Sequence, residues 1–127
     1  MALEARTITH GDVTVMHLSG AIIFGDESSS LRSRVRDLLT RSNHIVLDLK
    51  DVTYIDSGGL GTLVALYASA HKAGGEIKLS RLGPRPSEVL QITKLITIFD
   101  VYDDLDSAVA SFDETALKQK TAKGPTA

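Results

Sequence analysis

The sequence predicts an α/β domain: a mixed, mostly parallel sheet of about four to five strands covered by about four helices. Three observations carry that prediction. Strand-like runs alternate with stretches of helical periodicity along residues 1–112. The run Ile45-Val46-Leu47-Asp48-Leu49 is almost wholly apolar, as a strand buried on both faces of a parallel sheet must be. The chain has 127 residues, 43% apolar and 24% charged, which suits one globular domain with a core of its own.

Each element has a local reason. Thr7 to His10 and Val13 to Leu18 read as two strands around a Gly11-Asp12 turn. Ser28 to Ser30 offer caps before Leu31, Val35, Leu38 and Leu39, whose spacing places them on one face of a helix. Arg32, Arg34, Arg36 and Arg41 take the remaining, solvated faces. The strand 45–49 comes next. A second helix is expected from Ser57 to about Ala73, stopped by Gly74-Gly75. Ile77-Lys78-Leu79 reads as another strand, Ser87 to Thr93 as a short helix, and Ile98 to Tyr102 as a further strand. Leu105, Ala108, Val109 and Phe112 mark a closing helix capped by Asp103 or Asp104. Residues 113–127 have little to bury and are expected to form a flexible, basic C-terminal tail.

Composition removes several function classes. With no cysteine there is no disulfide scaffold, zinc-thiolate site, iron–sulfur cluster or thiol nucleophile. The net charge of −2 averages an acidic domain with the basic tail and predicts neither nucleic acid nor a membrane as a partner. Leu60 to Ala70 is far shorter than the ~20 residues of a membrane helix, and the N-terminus has no apolar leader, so a cytoplasmic protein is expected. His10, His17, His44 and His71 show no metal-ligand spacing, and no cofactor is implied. His71, four residues after Tyr67, is expected to be half-buried. The acids Asp100, Asp103, Asp104, Asp106, Asp113 and Glu114 read as a solvated edge.

The most informative segment is Val52-Thr53-Tyr54-Ile55-Asp56-Ser57-Gly58-Gly59-Leu60-Gly61, read as a loop from strand to helix. Ligands and partners of open α/β sheets meet the protein at this end of the strands. Asp56 and Ser57 are both good cap residues, and Gly58 and Gly59 allow close backbone approach. On local sequence alone a capped turn explains all four. Asp-Ser-Gly-Gly also surrounds the nucleophile of chymotrypsin-like proteases. Here Ile55 precedes it, Leu60 follows, and the chain is too short for that fold. A phosphate-binding P-loop fails because no Lys-Ser or Lys-Thr closes the segment. No enzyme is indicated.

The order of elements and this segment together resemble the STAS domain of bacterial anti-sigma factor antagonists. Tyr54 to Gly61 carries most of the likeness. Gly20, Ile45 to Leu49 with Val52, Ala73 to Leu79, Val89 to Leu95, and Phe99 to Tyr102 with Ala108 add to it. The resemblance implies a STAS-type sheet and a regulatory, non-enzymatic switch. The unmodified antagonist would bind an anti-sigma factor, a kinase of histidine-kinase-like ATP-binding fold. That partner would use Mg-ATP to phosphorylate Ser57, ending the binding, and a phosphatase would restore it. By position, the partner-binding residues would be Asp56, Ser57, Gly58, Gly59 and Leu60, with Ile23, Phe24 and Asp26 from the preceding loop. Family members often carry an aspartate where this chain has Ile23, and Asp26 is the nearest acid. The run Ile22-Ile23-Phe24 is expected to be exposed and to offer a partner or homodimer surface. Two other STAS roles stay open: a signalling scaffold with a different kinase client, and an accessory subunit of a lipid or anion transport system.

Overall fold

The computed structural model describes residues 3–112; the expected tail, with Asp113 and Glu114, lies outside the described residues. Five strands form one sheet in the order β1 (Leu3–His10), β2 (Val13–Ile22), β3 (His44–Ile55), β4 (Glu76–Ser80) and β5 (Val101–Tyr102). β1 pairs antiparallel with β2, and every later pairing is parallel. Gly11, at φ 61°, makes the tight turn between the first two strands. The parallel steps are bridged by α1 (Asp26–Leu39), α2 (Ser57–Lys72) and α3 (Pro84–Ile92), and residues 105–112 are helical (α4).

Alternation along the strands divides the buried residues between the two faces. One face carries Met16, Leu18, Ile45, Leu47, Leu49, Ile77 and Leu79. Leu31, Val35 and Leu39 of α1, Leu63, Leu66 and Ala70 of α2, and Leu90 of α3 cover it. The other face presents Val13, Val15 and Val46 to Ala108 and Phe112 of α4. Both faces of β3 are thereby buried from Ile45 to Leu49, as that apolar run predicts.

Several boundaries differ from expectation, for local reasons. β3 does not stop at Leu49 but continues to Ile55, because residues 51–55 keep pairing with β2 through two register shifts. α1 starts at Asp26, so the serines expected as caps lie inside it, and Ser28 is buried. Its hydroxyl donates to the Ile23 carbonyl. α2 ends as expected: Gly74 takes φ 79° and the Gly75 N–H closes the turn on the Ala70 carbonyl. The expected strand 98–102 shrinks to Val101 and Tyr102, preceded by a 3-10 turn over Leu95–Thr97. The closing helix is capped by Asp104, whose carboxylate accepts from the Ser107 N–H at 2.7 Å. His71 is exposed rather than half-buried, its ring 4.4 Å from that of Tyr67.

Candidate functional site

Because β3 runs to Ile55, the strand-to-helix connection is a single residue, Asp56. Its extended backbone (φ −95°, ψ −177°) makes it the N-cap of α2. The carboxylate accepts from the Gly59 N–H at 2.7 Å. It also accepts from the Phe24 N–H, at 3.2 and 3.3 Å to its two oxygens. One side chain thus ties the first turn of α2 to the loop between β2 and α1.

Ser57 is the first residue of α2 and is exposed. It sits where helical N–H groups have no intrahelical acceptor and the helix dipole favours negative charge. The next two residues explain why the helix lies so low on the sheet. A β-carbon at Gly58 would stand 2.5 Å from the Phe24 β-carbon, and one at Gly59 would overlap the Ile22 carbonyl oxygen. Only glycine lets α2 begin directly on the end of β2. Asp56 N–H, donating to that same Ile22 carbonyl at 3.2 Å, continues the contact.

The expected residues do not all play the same part. Asp56, Ser57, Gly58, Phe24 and Asp26 come together at one end of the sheet. Phe24, Asp26 and Gly58 line a common hollow of about 500 Å³. Phe24 is 83% exposed, more than any other large apolar residue described. Leu60 packs against the main core cluster. Ile22, expected to be exposed, is fully buried, and Ile23 is half-buried. The predicted apolar surface run therefore reduces to Phe24, because consecutive residues at a strand end point to opposite sides.

A second polar group has no local signature in the sequence. The Asp48 side chain, 4% exposed, lies in the middle of the sheet with His17 Nδ1 at 2.6 Å from Oδ2. Arg81 grips both of its oxygens, Nε donating at 3.0 Å and Nη2 at 2.5 Å. The Lys50 N–H adds a fourth contact at 3.3 Å. Burial pushes the Asp48 carboxyl up, but hydrogen bonds from Arg81, His17 and Lys50 N–H outweigh it and hold the group below the usual carboxylate range. Arg81 accepts a left-handed backbone (φ 56°) while making this grip. Among the described residues no group of three or more His, Cys, Asp or Glu side chains forms a metal site.

The family model of the STAS domain matches residues 4–108. The chain belongs to the STAS domain family. Among STAS relatives, it is 28% identical over 115 residues to the anti-sigma F factor antagonist of Paenibacillus polymyxa, covering 89% of this chain and 97% of that protein. An anti-sigma factor antagonist from Mycobacterium paratuberculosis has the same fold. Its TM-score is 0.74 at 24% identity, over 87% of this chain and 93% of that one. The Bacillus cell fate determinant SpoIIAA in its phosphorylated form also shares the STAS fold. There the TM-score is 0.66 at 15% identity, over 87% and 99% of the two chains. Among the described residues no helix is long and apolar enough to cross a membrane.

Proposed function

We propose that this STAS protein is an anti-sigma factor antagonist that works as a partner switch, with Ser57 as the phosphorylated residue. The observation that carries the reading is the placement of Ser57. An exposed residue, Ser57, opens a helix whose next residue, Gly58, lies against Phe24, itself 83% exposed. In this reading an anti-sigma factor kinase docks on the Phe24–Ser57 end of the domain and transfers the γ-phosphoryl group of Mg-ATP to the Ser57 hydroxyl. The modified surface then releases the kinase until a phosphatase removes the phosphate.

The physics of the site supports a switch without refolding. A phosphate adds about −1.5 to −2 charges and three strong acceptor oxygens. The N-terminus of α2 tolerates it, since free N–H groups and the dipole both favour an anion. Beside the Asp56 carboxylate and near Asp26, however, it concentrates negative charge on a surface that met its partner with a neutral hydroxyl. Each ~1.4 kcal/mol of repulsion and desolvation lowers affinity about tenfold.

The test is direct. The purified protein is incubated with its cognate kinase and Mg-ATP, and the phosphosite is mapped by mass spectrometry. One phosphate on Ser57, absent in Ser57→Ala, is the expected result. A phosphate still accepted by Ser57→Ala overturns the assignment. Ser57→Asp should weaken kinase binding while thermal stability hardly changes.

A further inference from the structure

The seam between α1 and α2 runs away from Ser57 as a groove with an unusual lining. From Ser57 to Ala70, α2 contains no Asp, Glu, Lys or Arg, although Gly61, Val64 and Ala68 are exposed. A surface helix ordinarily keeps its outer face polar and charged. Two hollows lie along this seam. The one nearer Ser57, about 500 Å³, is lined by Arg32, Gly61 and Ala65 among others. The other, about 410 Å³, is lined by Arg36, Ser69 and Lys72 among others. Arg32, Arg36 and Lys72 make no ion pair with any described residue, unlike Arg41, which pairs with Asp37 at 2.7 Å. The single carboxylate in the lining is Asp26, at the end beside Phe24. The two hollows follow α1 from Asp26 to Leu39, roughly 20 Å at helical rise.

We infer that this groove receives an amphipathic helix of a protein partner, its apolar face on Gly61, Ala65 and Ser69 and its acidic edge along Arg32, Arg36 and Lys72. Small residues let a second helix approach closely, and three unpaired cations on the walls supply the charge complementarity that selects an acidic edge. The inference deepens the partner-binding reading by naming the chemistry of the docking segment. It rests on that reading only for the idea that a protein partner exists.

Amide NMR titration of the full chain tests it without the kinase. The probe is a synthetic amphipathic peptide of about three heptads with glutamates flanking its leucine face. Its counterpart has lysine at every glutamate. The acidic peptide should shift amides of residues 32–40 and 61–73. Its Kd should rise at least about tenfold in Arg32→Glu/Arg36→Glu, and rise again as salt goes from roughly 50 to roughly 300 mM. The lysine peptide should leave these amides unmoved. Both charge reversals lie at helix surface positions, and unchanged spectra elsewhere verify the fold of the variant. Ser57→Ala should bind the peptide like the wild type, so this outcome and the phosphosite map fail separately. Several results would overturn the inference: no binding of the acidic peptide, shifts outside the groove, or equal binding of both peptides. So would an unchanged Kd on charge reversal. The same holds if phosphatidylglycerol vesicles, duplex DNA or the protein's own concentration shift the groove amides more strongly than the peptide does.

Discussion

Replacing Asp56 by alanine removes two connections at once, and their geometry sets the size of the effect. The 2.7 Å bond from the Gly59 N–H is the N-cap of α2, whose loss costs about 1 kcal/mol. The Phe24 N–H is shared between the two carboxylate oxygens at 3.2 and 3.3 Å in an exposed setting, which adds about 0.5 kcal/mol. The expected loss is therefore about 1.5 kcal/mol. For a chain of this length that corresponds to a fall in Tm of roughly 6 °C. Asp56→Asn keeps an amide oxygen able to accept from Gly59, so it should lose no more than about 0.5 kcal/mol. Urea unfolding followed by circular dichroism measures both variants, with an unchanged m-value showing that only stability moved. An Asp56→Ala midpoint equal to wild type, or an asparagine variant as damaged as the alanine one, would refute the clamp. The N–H exchange rate at Phe24 offers an independent readout and should rise in Asp56→Ala alone.

Four further outcomes follow from the same structure. Gly59→Ala drives a methyl into the Ile22 carbonyl and should cost about 3 kcal/mol or more, whereas Gly61→Ala, facing open space, should gain about 0.5–1 kcal/mol; chemical denaturation separates them. Asp48→Ala strands the Arg81 and His17 groups and should cost about 3 kcal/mol, the low end for a broken buried pair because Arg81 is 30% exposed. Since the folded Asp48 carboxyl titrates below its unfolded value, its stabilisation is complete above about pH 4 and is lost as pH falls through the folded value. An acid titration of Asp48→Asn should therefore show a flatter loss of stability below about pH 4 than wild type does. Phe24→Ala keeps the β-carbon that lies against Gly58, so Tm should stay within about 2 °C while kinase affinity falls at least tenfold, a change of about 1.4 kcal/mol; equal affinity by calorimetry would remove Phe24 from the docking surface.

The legible parts of this protein are those with a local cause. Leu31, Val35, Leu38 and Leu39 predict the buried face of α1, and Gly74-Gly75 predicts the end of α2, because periodicity and left-handed turns are properties of neighbouring residues. The Asp56-Ser57-Gly58-Gly59 segment is visible for the same reason. What sequence could not show depends on pairing across the sheet. Val52 to Ile55 reads as loop because the charged Lys50-Asp51 before it hides a strand that only β2 stabilises. His17, Asp48 and Arg81 stand more than thirty residues apart in sequence from one to the next and meet only because parallel register aligns them. Lys78 reads as a lysine in a short strand, yet it is 1% exposed, donating to Ser111 Oγ at 2.8 Å beneath the Phe112 ring. The arginines of α1 look like ordinary solvated charge until α2, with its charge-free face, is set beside them.

The glycine contact beneath Ser57 bears on how this residue is read by another protein. Ser57 belongs to a helix turn pinned by main chain to main chain, so its Cα–Cβ bond has a fixed height and direction above the sheet. An extended peptide copying residues 52–62 would carry every letter of the motif and none of that shape. In the proposed switch, a kinase acting on Ser57 would recognise a surface rather than a string, and its substrates would be sought among folds, not among consensus sequences.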